Sequence, residues 1–168
     1  MEFKKIQLNG FKSFAEKTNF LIEDGLTGIV GPNGCGKSNI VESLRWAMGE
    51  TSAKSMRGSG MEDVIFNGTS NKASKNIAEV SIVVDNASHE GPFQYKEIDQ
   101  IEIRRKIEKD KGSKFYINDK EVRARDAQMF FADLSTGAHS PSMISQGRIG
   151  ALVTAKPTDR RAILEEAA

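Results

Sequence analysis

Leu26-Thr27-Gly28-Ile29-Val30-Gly31-Pro32-Asn33-Gly34-Cys35-Gly36-Lys37-Ser38 is the stretch that decides the fold of this chain. Its last eight residues fill the pattern G-x-x-x-x-G-K-[ST] completely. Glycines at those positions let the backbone wrap until successive N–H groups point at one anion. The helix that follows adds its positive end to the same place. Lys37 is placed to meet the β- and γ-phosphates of a nucleotide, and the Ser38 hydroxyl to ligate Mg²⁺. From average residue usage, the four fixed positions arise by chance in about one chain of this length in two hundred. The bland alternative is a glycine-rich turn beside a surface lysine. The flanks argue against it, because residues 26–30 read as a buried central strand and residues 38–48 as a helix. Cys35 takes a variable position as a small space-filler, and modification of its thiol is expected to block nucleotide binding.

Outward from the loop, most of the chain alternates with a period of two. Residues 3–11 and 19–22 are strand candidates, the first stopping at Gly10. Asp63-Val64-Ile65-Phe66 reads as a short strand before an Asn67-Gly68 turn. Residues 78–84 and 100–107 alternate clearly, the latter with Ile101, Ile103 and Ile107 apolar. Residues 109–113 form a hairpin loop that returns through residues 114–118. Residues 126–134 read as a helix. From Pro157 onward the chain opens like another helix, with Pro and Asp in its first turn. That helix carries no stop signal before Ala168, so it is expected to continue.

The 168 residues suit one domain with a substantial core, and 38% hydrophobic with 28% charged residues is ordinary soluble composition. No apolar run approaches the roughly 18 residues of a membrane span, and the N-terminus has no signal-peptide pattern. A single cysteine excludes an internal disulfide and fits a reducing compartment. Net charge is only +1, so bulk composition does not indicate nucleic acid. Locally, however, Arg104, Arg105, Lys106, Lys109, Lys111, Lys114, Lys120, Arg123 and Arg125 face only Glu108, Asp110, Asp119 and Glu121.

A phosphate loop alone does not separate GTPases, kinases, transporter ATPases and chromosome ATPases. The surrounding residues do: Gly10-Phe11-Lys12-Ser13-Phe14, the loop with Asn39, Arg45-Trp46, Met48-Gly49-Glu50, and Ser55-Met56-Arg57-Gly58. Met61 to Phe66, Ile144-Ser145-Gln146-Gly147 and Asp159-Arg160-Arg161 complete the set. In that order they resemble the SMC family of chromosome-organising ATPases from end to end, most closely its bacterial condensin members.

The resemblance implies an α/β P-loop NTPase fold: the N-terminal lobe of an ABC-type head, with a mixed sheet around the P-loop helix and an antiparallel β portion. Residues 1–158 would form the lobe and residues 159–168 the root of a coiled coil. ATP and Mg²⁺ are the implied cofactors. Pro32, Asn33, Gly34, Cys35, Gly36, Lys37, Ser38 and Asn39 would hold the nucleotide, with Lys12, Ser13, Arg57 and Asp63 near it. Lys37 and Gln146 would be catalytic, with Ser38 and Gln146 on the metal. The partners implied are the C-terminal lobe of the same polypeptide, a second head, a kleisin subunit, and DNA contacted without sequence specificity through Arg123 and Arg125. The location implied is the cytoplasm, on the nucleoid.

Without the family, Gln146 reads equally as a turn cap, Arg57 as a solvated charge and Lys12 as a strand-edge lysine. Trp46 and Phe66 read as core, and His89 and His139 as loop residues. No apolar run ends in paired Asp-Glu, and no Leu-Ser-Gly-Gly occurs. The expectation is therefore weak ATP binding and almost no hydrolysis by the chain alone. A RecN- or RecF-type repair ATPase, an ABC transporter subunit and a non-hydrolysing clamp remain as alternatives.

Overall fold

The computed structural model describes residues 1–89, 91–134, 156–158 and 161. Alternation builds the sheet. Glu2–Asn9 (β1) turns Ile6 and Leu8 inward, and Thr18–Leu21 (β2) pairs along its outer edge. Ile77–Asp85 (β3), Gln100–Glu108 (β4), Gly112–Ile117 (β5) and Lys120–Val122 (β6) follow, giving the order β2-β1-β3-β4-β5-β6 with every pair antiparallel. The register sets Ile6, Ile82, Ile103 and Ile117 in one buried row across four strands. Such β-branched cross-strand neighbours are what stabilise a sheet of this kind.

Lys37–Ala47 (α1) packs against β3 and β4 through Ile40, Ser43, Trp46 and Ala47. Ala124–Asp133 (α2) lies by β5 and buries Ala127, Phe130 and Phe131. Phe130 makes edge-to-face contacts with Tyr95 and Phe131, and Trp46 and Phe66 are core residues, as expected. Gly10 ends β1 at φ +62°, and a Cβ there would run into the carbonyl of Ile77. Only glycine lets the chain turn so close under the neighbouring strand.

The sequence reading needs three corrections. Residues 26–30 form no strand, and Leu26 and Val30 are 100% and 94% exposed. A central strand needs a neighbour on each side, and among the described residues none offers it a ladder. The strand expected at residues 63–66 is instead a short 3-10 turn, Met61–Val64, whose backbone closes under Asp63. Ile65 then bridges Phe11, and the Phe66 N–H donates to Gly10 O at 2.8 Å. Third, Arg105, counted above in the basic excess, sits on the inward face of β4 and is 3% exposed.

The helix expected from residue 157 is present at its described positions, 157, 158 and 161. Gln146, His139 and the rest of that helix lie outside the described residues. No described helix is long and apolar enough to cross a membrane.

Candidate nucleotide-binding site

The phosphate loop runs along the surface into α1. Gly36 is the N-cap residue, at φ 97°, and the first turn carries no acidic residue, so the positive helix end is unopposed. The Lys37 ammonium donates to the carbonyls of Gly31 (2.6 Å) and Pro32 (2.8 Å), bracing the loop across its own mouth. Ser38 is exposed beside it. These are groups that fit a polyphosphate and its Mg²⁺, with Lys37 and the loop amides for the anion and the Ser38 hydroxyl for the metal.

A second loop braces the first. Phe11 and Phe14 exchange backbone bonds of 3.0 and 2.8 Å, which puts Lys12 and Ser13 at the tip of a tight turn, Lys12 at φ 47°. Phe11 is fully buried, its ring centre 5.5 Å from that of Trp46. Ser13 Oγ accepts from Asn39 Nδ2 at 2.9 Å, and a Cβ at Gly36 would collide with that same Oγ. Asn39 Oδ1 in turn accepts from Arg57 Nη2 at 3.1 Å. Lys12, Ser13, Gly36, Asn39 and Arg57 are thus one contiguous cluster against the phosphate loop.

Sequence reasoning missed the residue that joins them. Glu42, 8% exposed, ion-pairs with both Lys12 and Arg57. The signal was available: Glu42 stands four residues after Ser38 and three after Asn39, on the same helix face. Asp63 has a different job. Its Oδ2 accepts from the Ser59 N–H (2.6 Å), the Ser59 hydroxyl (2.8 Å) and the Gly60 N–H (3.0 Å). The Gly60 and Ser59 donors hold its carboxyl below the usual range and fix the loop that follows Arg57.

The far end of α1 is held by a buried cation. The Arg105 guanidinium lies between the rings of Trp46 (4.5 Å) and Phe115 (4.6 Å). Its Nη1 donates to the carbonyls of Trp46 (2.8 Å) and Glu50 (2.7 Å), at the negative end of the helix. Burial pulls its pKa down to about 10.

Of the two arginines expected to contact DNA, Arg123 pairs with Asp126 through Nε and Nη2 at 3.1 Å each while its side chain stays 84% exposed. Arg125 is exposed and forms no ion pair among the described residues. Lys111 pairs with Glu108, Lys114 with Glu121, and Arg104 with Asp119, which thins the basic excess further.

Fold and site together define a P-loop nucleoside-triphosphate-binding lobe. The model of the RecF/RecN/SMC N terminal domain matches residues 2–148, and the chain belongs to that family. The Chromosome partition protein Smc of Cereibacter sphaeroides is 56% identical over 168 residues, all of this chain and 15% of that protein. The chain therefore spans about 15% of the length of that relative. A solved SMC ATPase, described for ATP-driven dimerization and DNA stimulated activation, superposes with a TM-score of 0.88 at 30% identity over the whole of both chains. An SmcHead bound to the C-winged helix domain of ScpA gives 0.90 at 30% identity, over 99% of this chain and 50% of that one.

Proposed function

We propose that the chain is the ATP-binding half of an SMC-type head, which hydrolyses ATP to drive chromosome condensation, organisation and segregation on DNA. The observation that carries this is the phosphate loop at the unopposed N-terminus of α1, backed by Lys12, Ser13, Asn39 and Arg57. Pro32 to Ser38 and Asn39 hold ATP, Ser38 and Gln146 hold Mg²⁺, and Gln146 helps position the attacking water. Asp63 serves the site indirectly, by fixing the loop that presents Arg57.

Hydrolysis also needs a base and an opposing signature segment, neither of which has a counterpart in this sequence. A C-terminal lobe of the same polypeptide and a second head supply them. The exposed apolar strip of Leu26, Ile29 and Val30 supports the first of these partnerships. Docking a strand there gives residues 26–30 the ladder they lack and covers three apolar side chains. A kleisin subunit is the further protein partner, by likeness to the head bound to the ScpA domain. DNA contact falls to Arg123, Arg125 and the hairpin lysines Lys109 and Lys120, of which Arg125 and the two lysines form no ion pair among the described residues, through phosphate and without sequence readout. The working location is the nucleoid, in the cytoplasm.

The test is DNA-stimulated ATP hydrolysis by this chain alone and mixed with its C-terminal lobe, each beside a Lys37→Ala control. Turnover is expected only in the mixture and only with Lys37 intact. Steady turnover by the pure chain would place the base within these residues and overturn the split-head reading.

A further inference from the structure

Glu42 is the only carboxylate among the described residues that pairs with both Lys12 and Arg57. The two cations are held differently. Lys12 is 13% exposed at its side chain, and its ammonium has a second acceptor in Met56 O at 2.5 Å. It is an internal strut. Arg57 is 58% exposed at its side chain, gripped at Nε by Glu42 and at Nη2 by Asn39 Oδ1. A guanidinium has five N–H groups, so three remain for an anion, and the two that are engaged fix the plane in which those three lie.

The backbone points the same way. Lys12 (φ 47°) and Arg57 (φ 55°) both occupy the left-handed region, which non-glycine residues hold only where their surroundings over-determine it. Here two strained turns from separate loops converge on one carboxylate of α1. Charge matters as well. Two cations on one carboxylate repel one another, and the Glu42 charge lets them share one site while leaving it net positive for a phosphate.

We propose that Glu42 is a positioning residue for the triphosphate site: it aims Arg57 at the nucleotide without touching the nucleotide itself. The inference rests on the reading of Arg57 as nucleotide-facing. It assigns Glu42 an effect on the chemical step rather than on affinity, because Lys37 and the loop amides do the gripping.

The test is a double-mutant cycle in the full-length polypeptide, with Glu42→Gln, Arg57→Ala and the pair together. Affinity for ATP with Mg²⁺ and DNA-stimulated turnover are both measured, with thermal unfolding alongside. Glu42→Gln is expected to lower turnover about tenfold or more and to change ATP affinity by less than about threefold. In the Arg57→Ala background it should add nothing further. Losses that multiply across the cycle, or normal turnover in Glu42→Gln while Arg57→Ala is impaired, would overturn the proposal. If Arg57→Ala itself matches the parent in both readouts, the nucleotide-facing reading of Arg57 is wrong and the inference goes with it. Should Glu42→Gln fail to fold, Glu42→Asp, which keeps the charge but is one methylene short of spanning both cations, gives the same cycle with the same criteria.

Discussion

Replacing Arg105 by methionine should loosen the P-loop helix from its far end. The guanidinium donates to two carbonyls at the end of α1, each charge-assisted bond contributing about 1.5–3 kcal/mol. Its two ring contacts add about 0.5–2 kcal/mol each. Burial opposes this: it pulls the guanidinium's pKa down to about 10, which corresponds to about 3 kcal/mol against the charged form. The balance leaves about 3 kcal/mol, in line with breaking other buried charged contacts from one side. For a domain of this size that is a fall of about 10 °C in Tm. Arg105→Lys keeps the charge but loses the planar fork and the stack, and should cost about half as much. Urea and thermal unfolding measure the loss, and amide exchange in the last turn of α1 locates it. If Arg105→Met stays within about 0.5 kcal/mol of the parent, desolvation cancels the bonds and the cation is not a stabilising latch.

Gly10→Ala should destabilise the chain by about 2–4 kcal/mol, because φ is positive and the new Cβ meets the Ile77 carbonyl. Gly25→Ala, also at positive φ but in open space, should cost about 1 kcal/mol; equal losses in urea unfolding would mean that the collision is relieved by movement. Asp63, whose folded pKa is depressed by Gly60 and Ser59, contributes its loop restraint above the ordinary aspartate range of about 4 and loses it as pH falls through the folded pKa. Protection of the Ser59 and Gly60 amides should therefore drop on acidification in the parent, and be already low and flat with pH in Asp63→Asn.

Where one local pattern governs, the sequence was legible. Period-two alternation located β1, β4 and β5, whose inward residues alternate with more exposed ones, and β3 as well, although Val80 to Val84 of that strand are buried on both faces. The helix after Ser38 was readable from its spacing and from the glycine at each end. Residues 26–30 were misread because apolarity shows that a segment wants burial, not that its partner is present. Arg105 was misread as surface charge although it continues the inward series Ile101, Ile103 of β4; composition outweighed register. The site divides in the same way. The phosphate loop is contiguous and was visible at once. The convergence of Lys12, Asn39, Glu42 and Arg57 depends on loops that meet only in three dimensions, so Glu42 had no pattern to announce it beyond its helical spacing from Ser38.

The strand order also governs when the chain acquires its shape. From β3 to β6 each strand pairs with its successor in sequence, through short hairpins at β4–β5 and β5–β6 and a longer connection, residues 86–99, at β3–β4, so that meander is suited to early formation. The pairing of β1 with β3 is the exception, joining Asn9 to Glu79 across the phosphate loop and α1. Closing that span costs more chain entropy than any hairpin in the meander. The topology thus implies an order of events, with β3 to β6 setting first and the nucleotide loop maturing when β1 zips onto a platform already built. Pulse-labelled amide exchange during refolding would show β4 and β5 protected before β1; simultaneous protection would refute that order.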